Sequence, residues 1–173
     1  MAVIWGWLRG GRLASLGRQE FRWFWLAPVA FLLQWGLNWA AGGGGQLAWH
    51  WSYFIHLFSY LLMFLFIWVN RNLPGVKLMA LGIFCNFLVI AFNGGAMPVN
   101  PEGLPPSLVN SLADETVATH SLWHSGTRLS FLGDIILVPY PSPRRFSIGD
   151  FLLVAGLFIF VTRAMAGTSP GEK

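Results

Sequence analysis

The stretch LAWHWSYFIHLFSYLLMFLFIWVN, residues 47–70, contains no Lys, Arg, Asp or Glu and is followed at once by Arg71. A helix needs about 20 mostly apolar residues to cross the hydrocarbon core of a bilayer, and this run is long enough. It ends in Asn70-Arg71-Asn72-Leu73-Pro74-Gly75, a dense turn signal. Working outward, Trp23 to Ala41 is equally free of charge and leads into the turn Gly42 to Gly45. Leu78 to Phe92 supplies a third apolar run, closed by Asn93-Gly94-Gly95, and a fourth extends from about Ser147 to Ala166, with Asp150 and Arg163 near its ends. Pro28 is expected to kink the first run, which neighbouring helices can accommodate.

Composition points the same way. Of 173 residues, 55% are hydrophobic and 10% charged, against roughly 25% charged in ordinary soluble domains. Too few charges remain to solvate a soluble surface. Ten Trp and a 16% aromatic share suit a protein that meets two membrane–water interfaces. The net charge of +4 forms no aromatic-interleaved basic patch, so nucleic acid is not an expected partner. Cys85 is the single cysteine, which excludes intramolecular disulfides and cysteine-clustered metal sites. Met1 to Leu8 is too short for a signal-peptide core, and Arg9 and Arg12 follow it rather than precede it, so no processing is expected.

Positive charge also sets an orientation. Arg9, Arg12, Arg18, Arg22, Arg71, Lys77, Arg163 and Lys173 fall on one side of four spans, and only Arg128, Arg144 and Arg145 on the other. The positive-inside rule therefore predicts two cytoplasmic termini. It turns the long connection between the third and fourth spans outward. That connection is too long for a simple turn. Pro105-Pro106 is expected to open an amphipathic surface helix through Leu108, Val109, Leu112, Val117, Ala118 and Leu122, ended by Ser125-Gly126. Leu129 to Val138 then reads as a shallow, re-entrant apolar segment.

Four groups of residues have chemical potential. Asp134 and Asp150 each follow a glycine, and two carboxylates in one low-dielectric site can divide the roles of acid and base. Intramembrane aspartyl proteases and lipoprotein signal peptidases work with such a pair, although the first glycine of the protease Gly-x-Gly-Asp is missing here. Ser147-x-x-Asp150 is also a capping-box pattern, which explains the same aspartate structurally. His120 and His124 at i, i+4 offer half of a zinc site on one helical face, but without His-Glu-x-x-His they read equally as interfacial residues. His50 and His56 lie about 120° apart around one helix, poorly placed to share a haem or quinone. His56 and Asn86 lie deeper, where hydrogen bonds between helices are the expected use. Asn93-Gly94-Gly95-Ala96-Met97-Pro98-Val99 specifies a backbone path at the outer mouth of a span and can offer amides to an anion. It has no Lys-Ser/Thr completion for a nucleotide.

Three ordered blocks, Asn-Gly-Gly-x-Met-Pro-Val at 93–99, Thr-Arg-Leu-x-Phe-Leu-Gly-Asp-Ile-Ile at 127–136 and Phe-Ser-Ile-Gly-Asp at 146–150, resemble an uncharacterised bacterial family of small multi-span membrane proteins. Arg9-Gly10-Gly11-Arg12-Leu13 is similar to its pattern as well. The resemblance implies fold and location and brings no reaction with it.

The resulting expectation is an all-α, polytopic membrane bundle of about four transmembrane helices in a bacterial inner membrane. Residues 1–22 form a basic cytoplasmic segment, 23–93 three spans, 94–146 an extracytoplasmic cap, and 147–173 the last span and tail. The expected role is non-catalytic binding at the outer face, through Asn93, Gly94, Gly95, Met97, Pro98, His124 and Arg128. The partner would be a membrane lipid, a membrane protein or a lipidated peptide, and no metal or cofactor is expected. The rival is an aspartyl-type hydrolase using Asp134 and Asp150. A haem or quinone carrier stands third.

Overall fold

The computed structural model describes residues 1–43 and 46–167, with the side chains of 46–50 left aside. The expected turn at Gly44 and Gly45, the side chain of His50 and the tail holding Lys173 lie outside the described residues. Two short helices, α1 (Ala2–Leu8) and α2 (Leu13–Leu16), precede three long ones, α3 (Leu26–Gly42), α4 (Gln46–Val69) and α5 (Val76–Phe92). The cap follows: β1 (Met97–Val99), α6 (Pro106–Ala113), β2 (His120–Leu122), a 3-10 turn (Ser130–Leu132), β3 (Ile136–Val138) and β4 (Arg144–Phe146). Helix α7 (Ile148–Met165) closes the fold. The protein is mostly helical. Trp51–Val69 within α4, and α7, are long and apolar enough to cross a membrane, and α5 is a shorter apolar helix.

The long helices stand in a row. α3 packs on α4, α4 on α5, and α5 on α7, while the two end helices share no comparable interface. The α5–α7 joint is made by glycine. A β-carbon at Gly82 would run into the Gly149 carbonyl, and one at Gly75 into that of Gly156. Seven residues separate the two glycines of each partner, so the antiparallel backbones approach closely at two levels, with Met79 and Asn86 filling the space beside Gly156 and Gly149. Small residues serve helix packing this way where apolar burial drives little association. Large apolar side chains point outward instead, with Trp39 74%, Trp35 67% and Val154 65% exposed.

One end of the row collects the basic segments. Arg12 N donates to Met165 O (2.9 Å), Phe21 stacks on Phe160 at 5.0 Å, and Asn70 Oδ1 accepts from Arg22 N (2.9 Å). The N-terminal segment, the α4–α5 turn and the end of α7 therefore lie together.

The cap occupies the other end, and here the all-α expectation needs correction. β1 pairs in parallel with β2, Met97 opposite His120, and β3 pairs antiparallel with β4, Ile136 opposite Phe146. The surface helix stops at Ala113. Glu115 takes a positive φ of 53°, and the Thr116 hydroxyl donates to Ser111 O (2.9 Å), which turns the chain away. His120 and His124 consequently do not share a helical face. The segment expected to re-enter the membrane instead forms the 3-10 turn and the first strand of the hairpin. Asn93 fastens the cap to α5: its Oδ1 accepts from Arg128 N (2.8 Å), and its Nδ2 donates to Arg128 O (2.8 Å).

A capped chamber at Asp134 and His120

β1 carries the site. Asp134 N donates to Pro98 O (2.9 Å) and Asn100 N donates to Asp134 O (3.0 Å), so the Asp134 backbone lies along one edge of β1 while His120 lies on the other strand beside it. Two cavities meet at these residues. The outer one, about 590 Å³, is roofed by Leu104, Leu108 and Leu112 and reaches Leu153 and Val154 on α7, with Arg144 and Arg145 at its rim. The inner one, about 220 Å³, lies within the row of long helices, with Gln34, His56, Tyr60 and Asn86 on its walls. His120, Asp134, Asp150 and Leu153 line both.

The Asp134 side chain is 9% exposed, and its Oδ2 lies 3.7 Å from His120 Nε2. Its Oδ1 is sealed from solvent and has no hydrogen-bond partner. Burial, and then the neighbouring Asp150 charge, push the Asp134 carboxyl up to about 7. His120 is pushed the other way. Burial first and then His56 lower it to about 4, against an opposing effect of Asp150. Its side chain keeps 42% of its surface and lines both cavities. A working ion pair would lower the acid and raise the base. Both groups move in the opposite sense, so the contact is better described as two neutral groups than as a salt bridge.

His120 is oriented from behind. Its Nδ1 lies 2.9 Å from Thr119 Oγ1, while Asn38 on α3 accepts from Thr119 N (3.0 Å) and donates to Thr119 Oγ1 (2.9 Å). Thr119 is buried, its hydroxyl held between Asn38 and His120. Asp150 is differently engaged. It forms a capping box with Ser147 at the start of α7. Its Oδ2 accepts from Ser147 N (2.9 Å) and its Oδ1 from Asn86 Nδ2 (2.9 Å). Ser147 Oγ also donates to Asn86 Oδ1 (2.8 Å). Gly149 has no room for a β-carbon because Asn86 fills it.

Among the residues singled out from sequence, the fold brings His56, Asn86, Met97, Val99, His120, Asp134 and Asp150 to the cavities. Gly95 O accepts from His56 Nδ1 (2.6 Å), Pro98 holds Asp134 through its carbonyl, and Asn93 and Gly94 form the loop behind. His124 and Arg128 line neither cavity. The His124 ring instead accepts from Gly126 N (3.1 Å) in its own turn. Among the described residues, no three of His, Cys, Asp and Glu converge on a metal position. Gln34, Asn38, Tyr60 and Thr119 were not foreseen. Gln34 and Asn38 are four apart in an uncharged helix, as are His56 and Tyr60, and such polar pairs in apolar helices are the signal that could have found them.

The fold and site define a class: a predominantly helical protein, with helices able to cross a bilayer, that closes a polar-centred chamber under a small α/β cap. The chain belongs to the family of unknown function DUF5317, which it matches over residues 18–162. It is 39% identical over 114 residues to an uncharacterised protein of Thermotoga maritima. That match covers 64% of this chain, and the chain spans 64% of the relative's length. No solved structure matches it.

Proposed function

We propose that the protein is a four-span component of a bacterial inner membrane that binds a membrane-borne ligand in the capped chamber without transforming it. α3, α4, α5 and α7 are the spans, both termini are cytoplasmic, and the cap faces outward. The 17 residues of α3 and of α5 rise about 26 Å, at the short end of what a span requires. Outward-facing Trp35, Trp39 and Trp68 support lipid contact, since soluble monomers seldom expose apolar faces of this extent. The basic residues gathered at the end opposite the cap support the orientation.

The observation that carries the binding reading is the position of Asp134, a buried carboxyl with one unpartnered oxygen, where two cavities of mixed polar and apolar lining meet. A few convergent polar groups in an apolar concavity are the usual character of a ligand site. The hydrolase reading is less well supported, because both oxygens of Asp150 are already occupied in holding α7 and Asn86.

Native mass spectrometry of the full chain, released from lipid nanodiscs, tests this reading. The wild type should carry a co-purified small molecule, which Val154→Trp displaces by filling the outer cavity. Retention of the same mass by that variant would remove the chamber as its site. Cysteine-accessibility mapping in a Cys85→Ala background tests the topology. Position 102 should label from outside the cell and position 18 only after permeabilisation.

A further inference from the structure

The chamber's two parts differ in a way that describes their occupant. At about 220 Å³ the inner cavity is smaller than a usual small-molecule site, so it takes a head group. The outer cavity, about 590 Å³, takes an apolar remainder. Its wall includes Val154, which is 65% exposed on the outside of α7. Asn38 of α3 and Val154 of α7 line this cavity from the two ends of the helix row.

The head end offers hydrogen-bonding groups on opposed elements. Asp134 comes from the cap. With Oδ1 sealed and unpartnered, its carboxyl is cheaper to bury as a neutral acid, whose hydroxyl sits on Oδ2 beside His120. Tyr60 comes from α4 and lines the inner cavity together with Asp134 and Asp150. Among the described residues, no hydrogen-bond partner meets its hydroxyl. Met63, Ile83, Ile90 and Met97 line the same cavity, apolar surfaces suited to the faces of a flat ring. The Asp150 carboxyl at this end, and the absence of Lys or Arg among the described residues lining the inner cavity, disfavour an anionic head such as a phosphate or a fatty-acid carboxylate. The arginines stand at the outer rim instead.

We propose that the occupant is a membrane quinone, with its flat, neutral ring held in the inner cavity between Tyr60 and Asp134 and its apolar tail in the outer cavity. The Tyr60 and Asp134 hydroxyls donate to the two carbonyl oxygens on opposite edges of the ring. The assignment rests on the proposed function, since it names the ligand of that same chamber. It concerns binding and involves no electron transfer.

The test is titration of the purified full chain, in quinone-free detergent, with decylubiquinone, stearate and dodecyltrimethylammonium, followed by calorimetry. Wild type should bind decylubiquinone. Tyr60→Phe, which deletes only a hydroxyl, should weaken it about tenfold, the effect of losing one useful hydrogen bond. Asp134→Leu should weaken it comparably, and Asp134→Asn, which keeps a donor, much less. Unaltered affinity in Tyr60→Phe, a variant expected to fold even if Asp134→Leu does not, overturns the assignment. Binding of stearate or of the ammonium probe in place of the quinone, abolished by Val154→Trp, overturns the quinone and leaves the chamber reading standing. If Val154→Trp changes the binding of no probe, both are overturned.

Discussion

Asp134 Oδ2 and His120 Nε2 stand 3.7 Å apart on the two sides of β1, close enough for an ion pair in which neither group favours its charge. The folded state prefers a protonated Asp134 and an unprotonated His120, and this preference has thermodynamic consequences.

For Asp134, the folded value of about 7 lies above the ordinary 3.8. Its contribution to stability is complete below 3.8, declines as pH rises from there to about 7, and is absent above that. Asp134→Asn removes this slope. The variant should gain on wild type between pH 4 and 7 and melt higher by several degrees at pH 8, as thermal unfolding in detergent would record. His120 works in the opposite direction. Its folded value of about 4 lies below the ordinary 6.5, so its contribution is present above 6.5 and lost as pH falls to 4. His120→Gln should flatten that acid limb.

Ligand binding should follow the same acid. Facing Asp134 are His120 from β2, Asp150 from α7, His56 and Tyr60 from α4, and Arg144 and Arg145 across the outer cavity from β4. His120 remains neutral well above 4, so a change in decylubiquinone affinity between pH 6 and 8 is assigned to Asp134. Wild type should weaken up to about tenfold over that range as its donor is lost, and Asp134→Asn should stay level. Calorimetry at three pH values distinguishes them.

The start of α7 gives a stability prediction independent of any ligand. Ser147→Ala should cost about 1 kcal/mol as a lost helix cap. Asn86→Ala should cost more, on the order of 2 kcal/mol, because it leaves the buried Ser147 hydroxyl and one Asp150 oxygen without their partners. The double variant should fall short of the sum, since both residues belong to one network. Denaturant titration of the three variants measures the coupling.

Glycines provide an internal contrast. Gly82→Ala and Gly149→Ala would press a methyl group into the opposing helix, and each should cost on the order of 1–3 kcal/mol or prevent folding. Gly36, in α3, has nothing within 4 Å of where its β-carbon would be. Gly36→Ala should therefore stabilise the protein by roughly 0.5–1 kcal/mol. Equal losses at all three positions would mean that α5 and α7 do not meet through these residues.

The long helices were legible because charge marks where they stop. The run ending at Asn70 and the turn through Gly75 are local signals, and α4 ends at Val69 and α5 begins at Val76. Ser147-x-x-Asp150 likewise contains its own explanation within four residues. The cap was misread because its organisation is non-local. Periodicity carried a helix from Pro106 to Leu122, whereas the β1 edge, more than twenty residues upstream, claims His120 to Leu122 as a strand. The same pairing decides the site. Nothing near Asp134 in the chain announces His120, and the polar residues of α3 and α4 acquire a common purpose only once the helices stand side by side.

The glycine seam between α5 and α7 has a further consequence. Where the backbones approach this closely, with only Met79 and Asn86 wedged beside the glycines, little space is left for repacking, so that joint behaves as a rigid spine. α3, at the far end of the row, is anchored to α4 and clipped to the cap where Asn38 grips Thr119. Any breathing that enlarges the chamber must be taken up on the α3 side, and Asn38 is where such a movement would first be felt.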